Sequence, residues 1–297
     1  MLVQGQVRSP TLDEAFAYCQ QVARGHYENF TVGSWMLPPA LRRHMYAIYA
    51  YSRGVDDLGD EAEGDRLALL DEWEAELERC YEGRPQDIRF VALGETIRRF
   101  DLPREPFLRL IEANRRDQTV TRYRSFAELE EYCTYSANPV GHLVLYLFGC
   151  ADAERMAMSD AITTALQLTN FWQDVAVDLE MGRVYIPLEE MERFGYSEEE
   201  LVERRYNEAF RSLMAFQVDR TRGLFRKGRR LPQLVMGRLR ADLRLFSMGG
   251  LAVLDAIERI RYDVLHQRPR LSPARKGWLV ARALLPELSL LRGRNGG

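Results

Sequence analysis

The chain has 297 residues, of which 46% are hydrophobic and 29% are charged, and its formal net charge is −3. This is the composition of an ordinary globular protein, and the lack of a basic excess argues against nucleic acid as a partner. The N-terminal stretch has no apolar core of a secretion signal, and no run of about 18 apolar residues predicts a membrane-spanning helix, so the sequence predicts a cytoplasmic protein.

Apolar residues recur at helical spacing along almost the whole chain, and no segment alternates convincingly as a strand would. The breaks contain Pro or Gly, and two Ser-x-x-Glu motifs, Ser125 with Glu128 and Ser197 with Glu200, predict capped helix starts. Because no linker or internal repeat divides the chain, we predict one all-α domain over residues 1–297, packed as a helical bundle. In chain order, the predicted helices span about 12–24, 39–59, 65–81, 88–100, 105–117, 126–148, 155–180, 208–228, 234–265 and 272–292.

The second predicted helix ends in "VDDLGD", residues 55–60, where three carboxylates follow a mostly apolar run. At about 100° per residue, Asp56 and Asp60 continue the core face that carries Tyr49. Asp57 turns about 100° away from Asp56, so we give it a secondary role. An acidic pair of this kind is usually solvated, and taken alone it predicts no site.

A second acidic pair lies on the predicted helix 155–180. There Gln167, Asn170, Asp174 and Asp178 fall on one narrow stripe, whereas most of the remaining surface is apolar. A helix that is apolar nearly all round is buried, so its polar stripe must meet polar partners inside the protein. The two acidic pairs are 118 positions apart (174 − 56), so they can come from facing helices.

Carboxylates held inside a protein without compensation cost several kcal/mol each, which predicts bound cations. Oxygen ligands without histidine suit Mg²⁺, which takes one or two carboxylates and completes its shell with water and substrate phosphates. The pattern does not fit a calcium-binding EF-hand loop, and no Glu-x-x-His occurs, as a carboxylate-bridged di-iron bundle requires. The two pairs therefore predict a diphosphate bound through more than one Mg²⁺ ion.

The chain resembles the squalene/phytoene synthase family through "DDLGD", through Asn-x-x-x-Asp-x-x-x-Asp followed by "GRVYIP", and through "YCTYSANPVG" and "LHQR". The resemblance covers roughly residues 15–290. It implies an all-α isoprenoid-synthase fold with a central active-site cavity. It also implies that Mg²⁺ and diphosphate are held by Asp56, Asp60, Asn170, Asp174 and Asp178. By the same resemblance, the diphosphate and reaction pocket is lined by Tyr49, Arg53, Tyr132, Arg183, Tyr185 and Arg268, and we group Gln167 with them.

Several positions depart from the usual family pattern. Tyr27 and Asn29 stand where a Ser-x-Ser-Phe motif supplies hydroxyls to diphosphate, Gln173 replaces an arginine, and Gly250 replaces a tyrosine. With Tyr27 and Asn29 in those places, the segments "HYENF", "SANPVG" and "TNFWQDVAVD" resemble the hydroxysqualene synthase branch of bacterial hopanoid biosynthesis. That branch takes presqualene diphosphate, already condensed by a sister enzyme, ionises it, and lets water capture the rearranged cation.

The resulting hypothesis is Mg²⁺-dependent conversion of presqualene diphosphate into hydroxysqualene, with no nicotinamide cofactor. Tyr27, Glu28, Asn29 or Tyr132 could orient the capturing water, and the sequence does not choose among them. One alternative is a complete head-to-head synthase that makes squalene, dehydrosqualene or phytoene. Another is a non-catalytic prenyl-binding subunit. The apolar C-terminal helix with flanking basic residues is interpreted as a packed last helix, with peripheral membrane contact as its alternative.

Overall fold

The computed structural model describes residues 10–25 and 39–294, without the side chains of residue 39 and of residues 285–294. Most of the described residues are helical. Among the described residues there is no strand, and one isolated parallel bridge joins Arg122 to Val184. The all-α prediction is therefore confirmed. The helices are α1 (Leu12–Gly25), α2 (Pro39–Asp60), α3 (Arg66–Tyr81), α4 (Ile88–Phe100), α5 (Glu105–Asp117), α6 (Phe126–Ser136), α7 (Asn138–Leu147), α8 (Ala153–Gln173), α9 (Val175–Glu180), α10 (Leu188–Arg193), α11 (Glu198–Val202), α12 (Glu208–Gly228), α13 (Leu231–Leu234), α14 (Gly237–Arg259) and α15 (Pro273–Arg294).

The chain divides into two compact units, Met1–Gln118 and Thr119–Gly297. In the first unit, α2 packs against α1, α3, α4 and α5. Tyr51 of α2 is fully buried, its ring lies against those of Trp73, Phe90 and Phe107, and its hydroxyl donates to the Phe107 carbonyl at 3.0 Å. This aromatic cluster packs around the middle of α2 and so fixes the position of its C-terminal end, which carries Asp56 and Asp60.

In the second unit, α8 is the central helix and packs against α6, α7, α12 and α14. Trp172 is fully buried on the side away from the polar stripe, as its place on the helical wheel predicts. Its indole Nε1 donates to Thr221 Oγ1 of α12 at 2.8 Å, which satisfies the one polar atom that its burial would otherwise leave unpaired.

Two predicted helices are each two helices in the structure, and a third has different bounds. The predicted helix 126–148 breaks at Ala137, because Pro139 in the first turn of α7 cannot donate a backbone hydrogen bond. The predicted helix 155–180 breaks at Asp174, whose backbone leaves helical geometry at φ −110° and ψ 16°. The predicted helix 234–265 is α14 alone, which begins at Gly237, where φ is 58°, and ends at Arg259; the short α13 (Leu231–Leu234) ends where the predicted range begins. The short helices α10 and α11 lie outside the predicted helix ranges, but the capped start predicted at Ser197 is confirmed, since its capping box begins α11 with both hydrogen bonds.

The prediction of a single domain stays a prediction, since it concerns how the two units combine. In the part of the chain that the structure describes, no helix is both long and apolar enough to cross a membrane.

Asp242 of α14 makes stability pH-dependent. Its side chain is buried, its Oδ1 has no hydrogen-bond partner in the structure, and desolvation raises its pKa to about 7 although Arg238 lowers it. The folded state therefore holds a proton that the unfolded chain releases near pH 4, and stability falls as the pH rises from about 4 to about 7. Asp242→Asn should stabilise the protein by about 2–4 kcal/mol at pH 8 and hardly at all at pH 4. Urea unfolding at both pH values measures this; an equal effect at both would contradict it.

Candidate active site

The first acidic pair lies at the C-terminal end of α2. Asn114 of α5 donates from Nδ2 to Asp56 Oδ1 at 3.2 Å. Gly59 makes this approach possible, since a Cβ there would lie 2.1 Å from Asn114 Oδ1. Asp60 is the last residue of α2 and is exposed. The glycine of "VDDLGD" thus has a packing role, and Asn114 is a polar neighbour of the site that the sequence did not indicate.

Asp56 is exposed as a residue, yet the protein atoms around its carboxyl disfavour the charge. Desolvation raises its pKa to about 6, the hydrogen bond from Asn114 lowers it, and the neighbouring Asp60 raises it. A carboxyl that is accessible but poorly compensated is a good position for a cation to occupy.

The other predicted residues of this unit surround the pair. Arg53 Nη2 lies 2.6 Å from both Asp57 Oδ1 and Glu61 Oε1, so its charge is already shared between two acids. Asp57 therefore has a partner different from that of Asp56. Tyr49 is half-buried beside the core formed by α1 and α2, and burial raises its pKa.

The second acidic pair lies where α8 ends and α9 begins. Arg268 donates to Asp174 through both Nε (2.6 Å to Oδ1) and Nη2 (3.0 Å to Oδ2). Asp178 has no such partner: its Oδ2 is buried without a hydrogen bond in the structure. Desolvation raises the pKa of Asp178 to about 7, and Asp174 adds to this, while Arg183 and Arg268 lower it. One carboxylate of the pair is thus neutralised by arginine, and the other lacks compensation.

Gln173 positions the arginine that binds Asp174. Its Nε2 donates to the Pro269 carbonyl at 2.6 Å, directly beside Arg268. The sequence indicated only that a family cation is missing at position 173. In the structure the glutamine has a specific contact, because its hydrogen bond holds the 268–269 segment against the end of α8.

The remaining residues of the predicted stripe lie on α8 before Asp174. Asn170 is exposed and Gln167 is half-buried, one and two turns before Asp174. Thr163, further along the same stripe, donates to the buried amide oxygen of Asn138 at 2.8 Å, and Thr164 donates to the same oxygen at 3.0 Å. The stripe is therefore polar from Thr163 to Asp178, and Asn138 is a second residue that the sequence pattern did not single out.

Aromatic rings lie next to Asp178. Tyr185 stacks on Phe171 with ring centroids 3.7 Å apart, and both Tyr132 and Tyr123 lie about 6 Å from Tyr185. Asp178, Arg183, Phe171 and Tyr185 border a small cavity of about 10 Å³, room for about one water molecule. The predicted residues Tyr132, Asp178, Arg183 and Tyr185 thus belong to one neighbourhood of the second unit.

Both acidic pairs suit Mg²⁺ by the chemistry of their donors. Each offers carboxylate oxygen and includes a carboxyl, Asp56 or Asp178, whose pKa is raised because its charge lacks compensation. The described residues contain no group of three or more His, Cys, Asp or Glu side chains that could hold a metal ion. Mg²⁺ in such a setting would rely on one or two carboxylates together with water and substrate phosphate oxygens. Tyr27 and Asn29, predicted to contact substrate, lie outside the described residues.

Comparison with known proteins places the chain in a family. Residues 23–275 match the family model described as squalene/phytoene synthase. The 15-cis-phytoene synthase of Synechocystis sp. is 35% identical over 294 residues, covering 92% of this chain and 87% of the relative. The chain therefore belongs to the squalene/phytoene synthase family, a family of prenyltransferase-type enzymes.

Two solved structures share the fold. The crystal structure of squalene synthase HpnC from Alicyclobacillus acidocaldarius is 49% identical, with a TM-score of 0.83 over 84% of this chain and 95% of that one. A dehydrosqualene synthase in complex with a ligand is 26% identical, with a TM-score of 0.85 over 94% of this chain and 98% of that one. The isoprenoid-synthase fold expected from the sequence is thus confirmed.

Proposed function

We propose that the protein converts presqualene diphosphate into hydroxysqualene, with Mg²⁺ as its metal. The observation that carries this proposal is the 49% identity to a structure described as squalene synthase HpnC, against 26% to a dehydrosqualene synthase. The sequence departures at Tyr27, Asn29 and Gln173 favour the same branch. Sister enzymes would supply the condensed substrate and reduce the product.

In the first step, the bond between the cyclopropylcarbinyl carbon and the diphosphate oxygen breaks, and the diphosphate leaves with the electron pair. Mg²⁺ held by Asp56 and Asp60, and by Asn170, Asp174 and Asp178, would neutralise the charge that develops on the leaving group. Arg183 and Arg268 add planar, bidentate donors suited to phosphate oxygens. Arg268 is bound to Asp174 in this structure, so it can serve the diphosphate only by sharing or exchanging that partner.

In the second step, the carbocation rearranges and is captured by water. The ring faces of the Tyr185–Phe171 stack can stabilise a nearby cation by about 0.5–2 kcal/mol while they exclude bulk water. The water oxygen forms the new carbon–oxygen bond and gives its proton to an acceptor, for which the released diphosphate is available. No hydride is consumed, so the reaction needs no nicotinamide.

The alternative, condensation of two prenyl diphosphates, is favoured by the 35% identity to a phytoene synthase. The packing around Gly250, however, argues against this alternative. A Cβ there would lie 2.5 Å from Cζ of Phe225 and 3.0 Å from Leu166, so these two side chains fill the space that a larger residue would need. The tyrosine that the family usually carries at this position would not fit here without repacking.

An assay of products separates the two reactions. With Mg²⁺ and no NADPH, the purified protein should turn presqualene diphosphate into hydroxysqualene and leave farnesyl diphosphate unchanged, as measured by mass spectrometry of the extracted lipids. Any C30 product from farnesyl diphosphate alone would show that the enzyme catalyses the condensation itself. Tight binding of both substrates without turnover would instead indicate a non-catalytic subunit.

A further inference from the structure

Positive charge is concentrated in one segment of this slightly acidic chain. Residues 222–244 contain eight basic side chains and one acidic side chain, Asp242, which is buried. The segment covers the end of α12, all of α13 and the start of α14. The basic residues are Arg222, Arg226, Lys227, Arg229, Arg230, Arg238, Arg240 and Arg244.

A groove opens within this segment, between α12, α13 and α14. Its volume is about 320 Å³, which lies in the range of sites that bind small organic molecules. Its walls combine cationic and apolar side chains, among them Arg226, Arg229, Arg244, Phe225, Met248 and Leu251. We call this the basic groove. Such a lining suits a molecule with an anionic head and an apolar body.

Two arginines at the groove, Arg226 and Arg229, differ from their neighbour Arg222 in how their charge is compensated. Arg222 is neutralised by Asp255 at 2.9 Å and Glu258 at 2.6 Å. Arg226 and Arg229 are exposed, and neither forms an ion pair within the part of the chain that the structure describes. They follow Arg222 at one and two helical turns, so their charges lie along one line of the groove.

An exposed apolar residue lies in the turn between α13 and α14. Met236 is 84% exposed, directly before Gly237 with its positive φ of 58°. An apolar side chain held in water among Arg and Lys is typical of segments that rest on an anionic membrane surface. Basic residues at the C-terminal end of a helix also interact favourably with the helix dipole. That interaction alone would explain neither the exposure of Met236 nor the apolar wall of the groove.

We propose that the basic groove binds the phosphate headgroup of an anionic phospholipid at a bilayer surface, while Met236 enters the interface. Arg226, Arg229 and Arg244 contact the phosphate, and Phe225, Met248 and Leu251 contact the first part of the lipid tail. This contact is formed by α12–α14 and not by the C-terminal helix, and it does not depend on which reaction the enzyme catalyses.

Sedimentation of the full-length chain with lipid vesicles tests the proposal. The wild type should bind vesicles of phosphatidylcholine with phosphatidylglycerol, should not bind vesicles of phosphatidylcholine alone, and should lose binding as salt is added. Arg226→Glu/Arg229→Glu should weaken binding roughly 30-fold or more, because each basic residue near the surface contributes about fivefold and the substitutions also reverse the charge. Met236→Ser should weaken it by a few fold.

The matched control is Arg205→Glu/Arg211→Glu, which makes the same charge change at exposed arginines outside the groove. Equal loss in both double variants, or equal wild-type binding to both kinds of vesicle, would overturn the proposal. So would calorimetric binding of inorganic diphosphate that depends on Arg226 and Arg229 without any vesicle binding, since the groove would then recognise a soluble anion.

Circular dichroism verifies that the variants fold. Turnover of detergent-dispersed presqualene diphosphate should be unchanged in the groove variants. A failure of the proposed reaction would leave the vesicle result untouched.

Discussion

Replacing Asp174 by asparagine should remove most turnover of presqualene diphosphate and leave the fold intact. The substitution keeps the shape of the side chain but removes the charge that would hold Mg²⁺ against the leaving group. Loss of one preorganised electrostatic contact of this kind costs about two to three orders of magnitude in kcat. Asp56→Asn should have an effect of similar size, because Asp56 is the poorly compensated carboxyl of the other pair. Steady-state kinetics over a range of Mg²⁺ concentrations measures both.

Asp57→Asn is the matched control, since it removes the same charge from the same motif. Asp57 pairs with Arg53 and its side chain is 42% exposed, so its loss should lower kcat by less than about tenfold. Arg268→Gln separates the two roles of Asp174 when the two substitutions are combined. If Asp174 acted merely by binding Arg268, Asp174→Asn would cause no further loss of activity in the Arg268→Gln background. Full activity in both Asp56→Asn and Asp174→Asn would reject the metal hypothesis.

The positions of the long helices could be predicted because each carries an amphipathic pattern bounded by Pro, Gly or a capping residue. The break at Asp174 carries no such local signal, since "NFWQDVAVD" contains neither Pro nor Gly. What distinguishes Asp174 is its contact with Arg268, 94 residues further along the chain. Contacts of this range depend on tertiary structure, which periodicity does not encode.

For the site, periodicity predicted that Asp174 is buried and that Trp172 lies in the core, and the structure confirms both. The partners of these residues were not predictable from spacing. Asn114 on α5 has the appearance of an ordinary surface residue, although Gly59 inside a helix was a usable signal of close approach. The assignment of Mg²⁺ and diphosphate to these residues rests on family resemblance and stays a proposal.

Glu190 of α10 belongs to a buried polar network with Gln217 and Arg220 of α12. It is 6% exposed, and it accepts hydrogen bonds from Gln217 Nε2 at 2.6 Å and from both terminal nitrogens of Arg220, one of them at 2.7 Å. The Arg220 guanidinium also lies 3.5 Å from the centre of the Phe126 ring. The network holds α10, which directly follows the segment with Arg183 and Tyr185, against α12.

Glu190→Ala should lower the free energy of unfolding by about 3–5 kcal/mol, because it removes the carboxylate that neutralises Arg220 and accepts from the fully buried Gln217 amide. Replacing all three residues by apolar ones of similar size, as in Glu190→Leu/Gln217→Leu/Arg220→Met, should restore much of that stability, since no buried charge then remains. Urea unfolding followed by tryptophan fluorescence compares the two variants. A loss below about 1 kcal/mol in Glu190→Ala would mean that water replaces the carboxylate. A triple variant no more stable than the single one would mean that the ionic network itself, and not merely its completeness, stabilises the segment that carries Arg183 and Tyr185.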